Sequence, residues 1–185
     1  MKKAPAIPLS KGSPGEKKVL RGSFILAFIF LILDQLTKFC VVKYIPRREK
    51  ITIIPGCFSL TFITNDGAAW NMLSGKFWLL TLISLCVFVL LVVFVRKLAE
   101  GWAERYYGIF LVLSGIAGNS IDRIFRGGEV VDFLHCYIGR YAWPTFNVAD
   151  SCICVGVFLF IFSNLFRPEK KDLKEEAVEK SGKLQ

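Results

Sequence analysis

Histidine is nearly missing from this chain. The single one, His135, rules out a His-x-x-x-His zinc pair, and beside an aromatic belt it reads as a packed or surface group. No metal or other cofactor is expected. The glycine-x-serine-glycine pattern of intramembrane serine peptidases is also missing, for Ser114-Gly115 stands alone and no histidine lies in a later span. A serine/lysine dyad would need Lys38 beside Ser151 or Ser120, and nothing in the sequence argues for that. Six cysteines make no disulfide framework: Cys40, Cys86, Cys152 and Cys154 fall in apolar stretches and read as buried apolar side chains, leaving only Cys57 and Cys136 in loops. Cys152 and Cys154 point apart on a helix and are poor metal ligands. There is no base-reading motif and no basic stripe with interleaved aromatics. The net charge of +9 is therefore assigned to topology and anionic lipid contact, with no nucleic-acid partner. No repeat or low-complexity block occurs. No small-residue cleavage pattern follows the basic N-terminus, so the first apolar run reads as a retained anchor.

What the chain has in abundance is hydrocarbon. With 54% apolar and 14% aromatic residues in a length of 185, it reads as a small polytopic membrane protein with no room for a second domain. Uncharged stretches run over 77–95, 106–121 and 151–166, and a first stretch over 24–42 is broken only by Asp34 and Lys38. A spanning helix needs roughly 20 apolar residues, so four spans fit once the third borrows from 102–104 and the fourth from 146–150. The expected organisation is a flexible tail over 1–20, a membrane domain over 21–167 and a second tail over 168–185.

Fifteen of the 24 Lys and Arg lie in residues 1–21, in 96–105 and from Arg167 onward, which puts both termini in the cytoplasm. Arg47, Arg48 and Lys50 in the first outer loop run against that trend. Within this loop, residues 51–64 alternate in part as strands do, with Phe58, Leu60 and Phe62 on one face and Pro55-Gly56 as a turn, so a small extracytoplasmic sheet is expected. Asn65-Asp66-Gly67 then marks a sharp turn. Residues 124–145, opened by Gly127-Gly128 and closed by Trp143-Pro144, read as irregular. Trp70, Trp78, Tyr137, Tyr141 and Trp143 suit an interfacial aromatic belt.

Carboxylates near hydrocarbon are costly, so each needs a reason. Asp34 and Lys38 are one helical turn apart on one face and read as a structural ion pair. Asn119, Asp122 and Arg123 fall at i, i+3 and i+4. Arg123 either pairs with Asp122 or offers donors to a peptide carbonyl, which makes Asp122 a poor proton carrier. Asp132 and Asp150 differ in having no cationic neighbour in sequence. Val130, Val131, Phe133 and Leu134 surround Asp132 with apolar bulk, which raises a carboxyl pKa. In Asn147-Val148-Ala149-Asp150, Asn147 is an N-cap and Asp150 the N3 residue, where the helix N-terminus favours the charged form. Two carboxyls pushed in opposite directions suit one acid and one base.

The blocks Asp34-Gln35-Leu36-Thr37-Lys38, Asn65-Asp66-Gly67-Ala68-Ala69-Trp70, Gly118-Asn119-Ser120-Ile121-Asp122-Arg123, Val130-Val131-Asp132-Phe133 and Phe146-Asn147-Val148-Ala149-Asp150-Ser151 occur in order across residues 24–165. In this the chain resembles the lipoprotein signal peptidase (signal peptidase II) family. The resemblance implies a multi-pass aspartic endopeptidase of the bacterial inner membrane, with four transmembrane helices and a small extracytoplasmic β-sheet cradling the site; a monomer is expected. It implies as substrate a prolipoprotein carrying a diacylglyceryl cysteine, cut just before that cysteine, with the lipid chains in a groove between spans. Asp132 and Asp150 match the family's catalytic aspartates. Asn65, Asn119, Arg123 and Asn147 match its polar site residues, expected to hold substrate, and Asp34, Lys38 and Asp122 are expected to be structural. Asp66 and Trp70 depart from the family's usual small or apolar residue and phenylalanine, a change expected to tune lid packing or substrate preference. The competing reading of paired intramembrane carboxylates is a small proton-coupled transporter subunit. It needs acids lining a path across the bilayer, whereas Asp122, Asp132 and Asp150 all map to one face.

Overall fold

The structure, a computed structural model, describes residues 8–67 and 75–167. Ala68, Ala69 and Trp70 of the second block lie outside the described residues. Four helices are long and apolar enough to cross a membrane: α1 (Pro14–Tyr44), α2 (Phe77–Ala99), α3 (Ala103–Phe125) and α4 (Val148–Phe166). Phe24, Phe28, Leu82, Leu90, Phe158 and Leu165 are exposed on their outer surfaces, as side chains facing hydrocarbon must be. The chain is a multi-pass membrane protein.

Helix α1 begins at Pro14, inside the stretch read as tail. The Ser13 hydroxyl accepts from the Glu16 amide and Pro14 sits in the first turn, where its missing N–H costs nothing. Helix α3 is the central element, with half of its apolar window buried against 6% for α2. Small residues let α4 approach it. A Cβ at Gly115 would collide with the Ala149 carbonyl, and one at Gly108 or Gly156 with the other's carbonyl. Close backbone approach of this kind is how helices pack where no water drives them together.

The strands β1 (Lys50–Ile54), β2 (Phe58–Asn65), β3 (Val130–Ile138) and β4 (Tyr141–Ala142) form one antiparallel sheet in that order. The sheet expected from 51–64 is present, and it is completed by two strands from the segment read as irregular. The reason is visible in β3, whose first four residues are buried, so no alternation of apolar and polar residues marks it as a strand. Pairing of Ile63 with Asp132 and of Asn65 with Val130 fixes the register. Val41 of α1 and Ile45 just beyond its end pack with Val131 and Phe133, joining the sheet to the bundle at the level of Asp132.

The expectation of buried cysteines needs correcting. Cys152 is buried, but Cys40, Cys86 and Cys154 are exposed on span surfaces, because a membrane helix turns its apolar side chains outward to lipid. Cys136 stands opposite Phe58 in the ladder and Cys57 lies in the turn before β2, and both are free thiols.

Candidate active site

The site begins with one cation. The Lys38 ammonium is fully buried and lies 2.9 Å from Asp34 Oδ2 and 3.0 Å from Asp122 Oδ2, and it donates to Asn119 Oδ1 at 3.0 Å. The expected helix pair is thus a triad joining α1 to α3. Each carboxylate has a further duty. Asp34 Oδ1 accepts from the Ala149 amide at 2.9 Å, which satisfies an orphan donor in the first turn of α4. Gln35 steadies it from the side, donating to Asp34 Oδ2 and to the Gly118 carbonyl. Asp122 Oδ2 accepts from the Val131 amide at 3.1 Å and Oδ1 from Arg126 at 3.2 Å, which ties α3 to the start of β3. The Arg126 contact follows i,i+4 spacing and so is legible in the sequence, but nothing local marks this arginine as part of a site.

Arg123 does not pair with Asp122; its Nη2 donates to the chain's own Gly67 carbonyl at 3.1 Å. Its Nε is buried with no hydrogen-bond partner among the described residues. The Gly67 turn is held on its other side by Asn65, whose Oδ1 accepts from the Gly67 amide at 2.9 Å. Asp66 accepts from the Gly75 amide at 3.0 Å.

Asp132 and Asp150 are brought together by two asparagines. The capping box expected at α4 is present: Asn147 Oδ1 accepts from the Asp150 amide at 2.9 Å, and Asp150 Oδ2 from the Asn147 amide at 3.1 Å. Asn147 Nδ2 then donates to Asp132 Oδ1 at 2.8 Å, linking the two acids through one residue. Asn119 Nδ2 donates to Asp150 Oδ1 at 2.8 Å. Its orientation is forced, because the ammonium of Lys38 can only donate and so claims the amide oxygen. Asn65 completes the set with a long contact of 3.5 Å from Nδ2 to Asp132 Oδ2. Asn119 and Asn147, expected to meet substrate, therefore direct their amide donors at the two carboxylates.

Asp132 is 5% exposed. Burial first, and then the nearby charge of Asp150, push its carboxyl up to about 7, against the pull of hydrogen bonds from Asn147 and Asn65. The two acids line a cavity of about 630 Å³. Arg123 and Asn65 share its polar end, while Leu80, Ile116 and Ile153 form apolar walls from α2, α3 and α4. Among the described residues, no group of three or more His, Cys, Asp and Glu side chains gathers as a metal site. What the arrangement offers is one carboxyl that holds a proton near neutrality, a second carboxyl beside it, and the polar side chains of Arg123 and Asn65 at the edge of a space with hydrocarbon walls.

The family model for signal peptidase (SPase) II matches residues 26–166. A lipoprotein signal peptidase of Geobacillus kaustophilus is 46% identical over 147 residues, covering 78% of this chain and 95% of that protein. Another, of Anoxybacillus flavithermus, is 43% identical and covers 83% and 92%. Two solved bacterial membrane enzymes, determined in meso at 2.3 and 1.9 Å resolution, superpose with TM-scores of 0.74 and 0.72 at 36% and 35% identity. They cover 78% and 80% of this chain, and 87% and 94% of their own. None of these relatives supports the transporter reading. The sequence blocks, the four-helix fold and relatives matched nearly end to end all converge, and the chain belongs to the signal peptidase II family.

Proposed function

We propose that this protein is an aspartic endopeptidase that removes the signal peptide from diacylglyceryl-modified prolipoproteins, cutting just before the lipidated cysteine. The observation that carries the reading is the pair Asp132 and Asp150, joined through Asn147 at the polar end of an apolar-walled cavity. Asp132, protonated near neutral pH, gives its proton to the scissile carbonyl oxygen. Asp150 takes a proton from a water whose oxygen adds to the carbonyl carbon, forming a gem-diol. Collapse of that intermediate breaks the C–N bond as Asp150 passes its proton to the leaving nitrogen and Asp132 takes one back from a gem-diol hydroxyl. No covalent acyl-enzyme forms.

Arg123, with a buried Nε still to satisfy, and Asn65 hold the substrate backbone. Asn119 and Asn147 act on substrate through the carboxylates they orient. Leu80, Ile116 and Ile153 receive the acyl chains, at about 0.8 kcal/mol per buried methylene. The protein works as a monomer in the inner membrane, with both termini cytoplasmic and the site open to the opposite face.

The test is cleavage of a lipidated and a non-lipidated prolipoprotein by the purified enzyme in detergent, read by gel shift. Cleavage of the lipidated form alone is expected. Equal cleavage of both removes the acyl groove as the basis of selection, and cleavage of neither removes the peptidase.

A further inference from the structure

A second cavity, of about 210 Å³, lies at the far end of the bundle, about 20 Å from the aspartates along α3 at ~1.5 Å per residue. Residues 8–12 close it. The Leu9 amide donates to the Gly101 carbonyl at 2.8 Å, and Gly101, with φ +86°, has no room for a Cβ against the Leu9 backbone. Glu16 anchors the following turn. It is 2% exposed and accepts from the Tyr106 hydroxyl at 2.6 Å and from the Gly12 amide at 2.5 Å. The N-terminal segment is thereby folded over the α2–α3 turn to make a walled recess.

The charges of that recess do not balance. Lys11, Arg96 and Lys97 line it together with Glu16 and Glu100. Glu16 has Arg96 at 3.7 Å besides its two hydrogen bonds, and Glu100 is bound to Arg105 at 2.6 Å. Both acids thus have cationic partners, while Lys11 and Lys97 have no carboxylate within ion-pair reach among the described residues. Two lysines without a carboxylate partner, one ahead of α1 and one in α2, line one recess at the edge of a helix bundle whose outer surface is apolar. Basic pockets between transmembrane helices in that position suit anionic headgroups.

We infer that this recess binds the phosphate of an anionic phospholipid, with Lys11 and Lys97 holding the phosphate and the acyl chains running down the apolar exterior beside α2. Such a lipid would tie the end of α2 to the N-terminal segment. That matters because α2 is barely buried within the protein and packs chiefly on α3, yet it carries Leu80 in the wall of the active-site cavity.

The experiment is native mass spectrometry of the full-length protein in detergent, titrated separately with phosphatidylglycerol, phosphatidylcholine and inorganic phosphate. The wild type is expected to retain phosphatidylglycerol in preference to phosphatidylcholine. A Lys11→Gln/Lys97→Gln double variant should bind it about 25-fold more weakly, at about fivefold per cation near an anionic lipid. Lys17→Gln/Lys18→Gln removes two lysines of the same end that do not line the recess, and should change retention little. The thermal midpoint of each variant without added lipid establishes that it is folded. An equal loss in both double variants would mean diffuse surface charge and overturn the site. Saturation by inorganic phosphate at the lipid's own concentration would assign the recess to free phosphate and overturn the lipid. Equal retention of the two phospholipids would overturn it as well.

Discussion

Lys38 is shared between Asp34 and Asp122, so removing either acid still leaves it a counter-charge. Asp34→Asn should therefore lower folded yield only modestly, whereas Lys38→Met strands the buried Asp34 carboxylate and leaves Asp122 with Arg126 alone, and should cost about 3–5 kcal/mol. Thermal unfolding in detergent compares the two, and an equal loss would refute the shared-cation account. For the proposed pair, Asp132→Asn or Asp150→Asn should cut cleavage by about 10²- to 10⁴-fold while the protein accumulates normally. Cleavage at the wild-type rate by either variant would end the aspartic mechanism. The pH dependence follows from Asp132, whose carboxyl lies at about 7 in the fold against an ordinary 3.8. The acid form is the competent donor, so the rate should fall as pH rises through about 7. A raised carboxyl contributes stability that is full below its ordinary value and lost as pH rises through the folded one. Wild type should accordingly lose thermal stability as pH rises toward about 7, and Asp132→Asn, which cannot ionise, should lose less.

At the scale of elements, the contact between α3 and the first turn of α4 sets where Asp150 stands. A side chain at Gly115 has to push against the Ala149 backbone, one residue from Asp150. Gly115→Val should cost about 1–3 kcal/mol through overpacking, and cleavage should fall in the fraction that remains folded. At Gly127 a Cβ would stand in open space, with no atom within 4 Å, so the same bulk there meets no neighbour. Its φ of +66° still disfavours a β-branched residue, so Gly127→Asn is the better control and should leave cleavage intact. Comparing specific activity per folded protein separates the two. The elements also differ in how plainly the chain announces them. The start of helix α4 is legible to the residue, because Asn147 and Asp150 satisfy each other within three positions. Strand β3 is not, since its opening residues are buried by α1 and by the sheet together.

For the molecule as a whole, the proposed topology places the aspartates and the sheet on the face away from both tails. A reporter fused after Phe166 should behave as cytoplasmic and one inserted within 51–64 as extracytoplasmic. Tails found on opposite sides would contradict it.

The sequence by itself determined the four spans, the α4 cap, the identity of the two unneutralised aspartates and, through its ordered blocks, the family. These are properties of composition or of neighbours within one helical turn, where 3.6-residue geometry dictates who meets whom. Only the tertiary structure decided that Lys38 serves two acids, that Asp34 caps a helix 115 positions away, and that Asn119 and Asn147 turn their donors to the carboxylates. A buried polar group must find a partner, but which partner depends on which backbone packing brings within about 3 Å, and no local pattern records that.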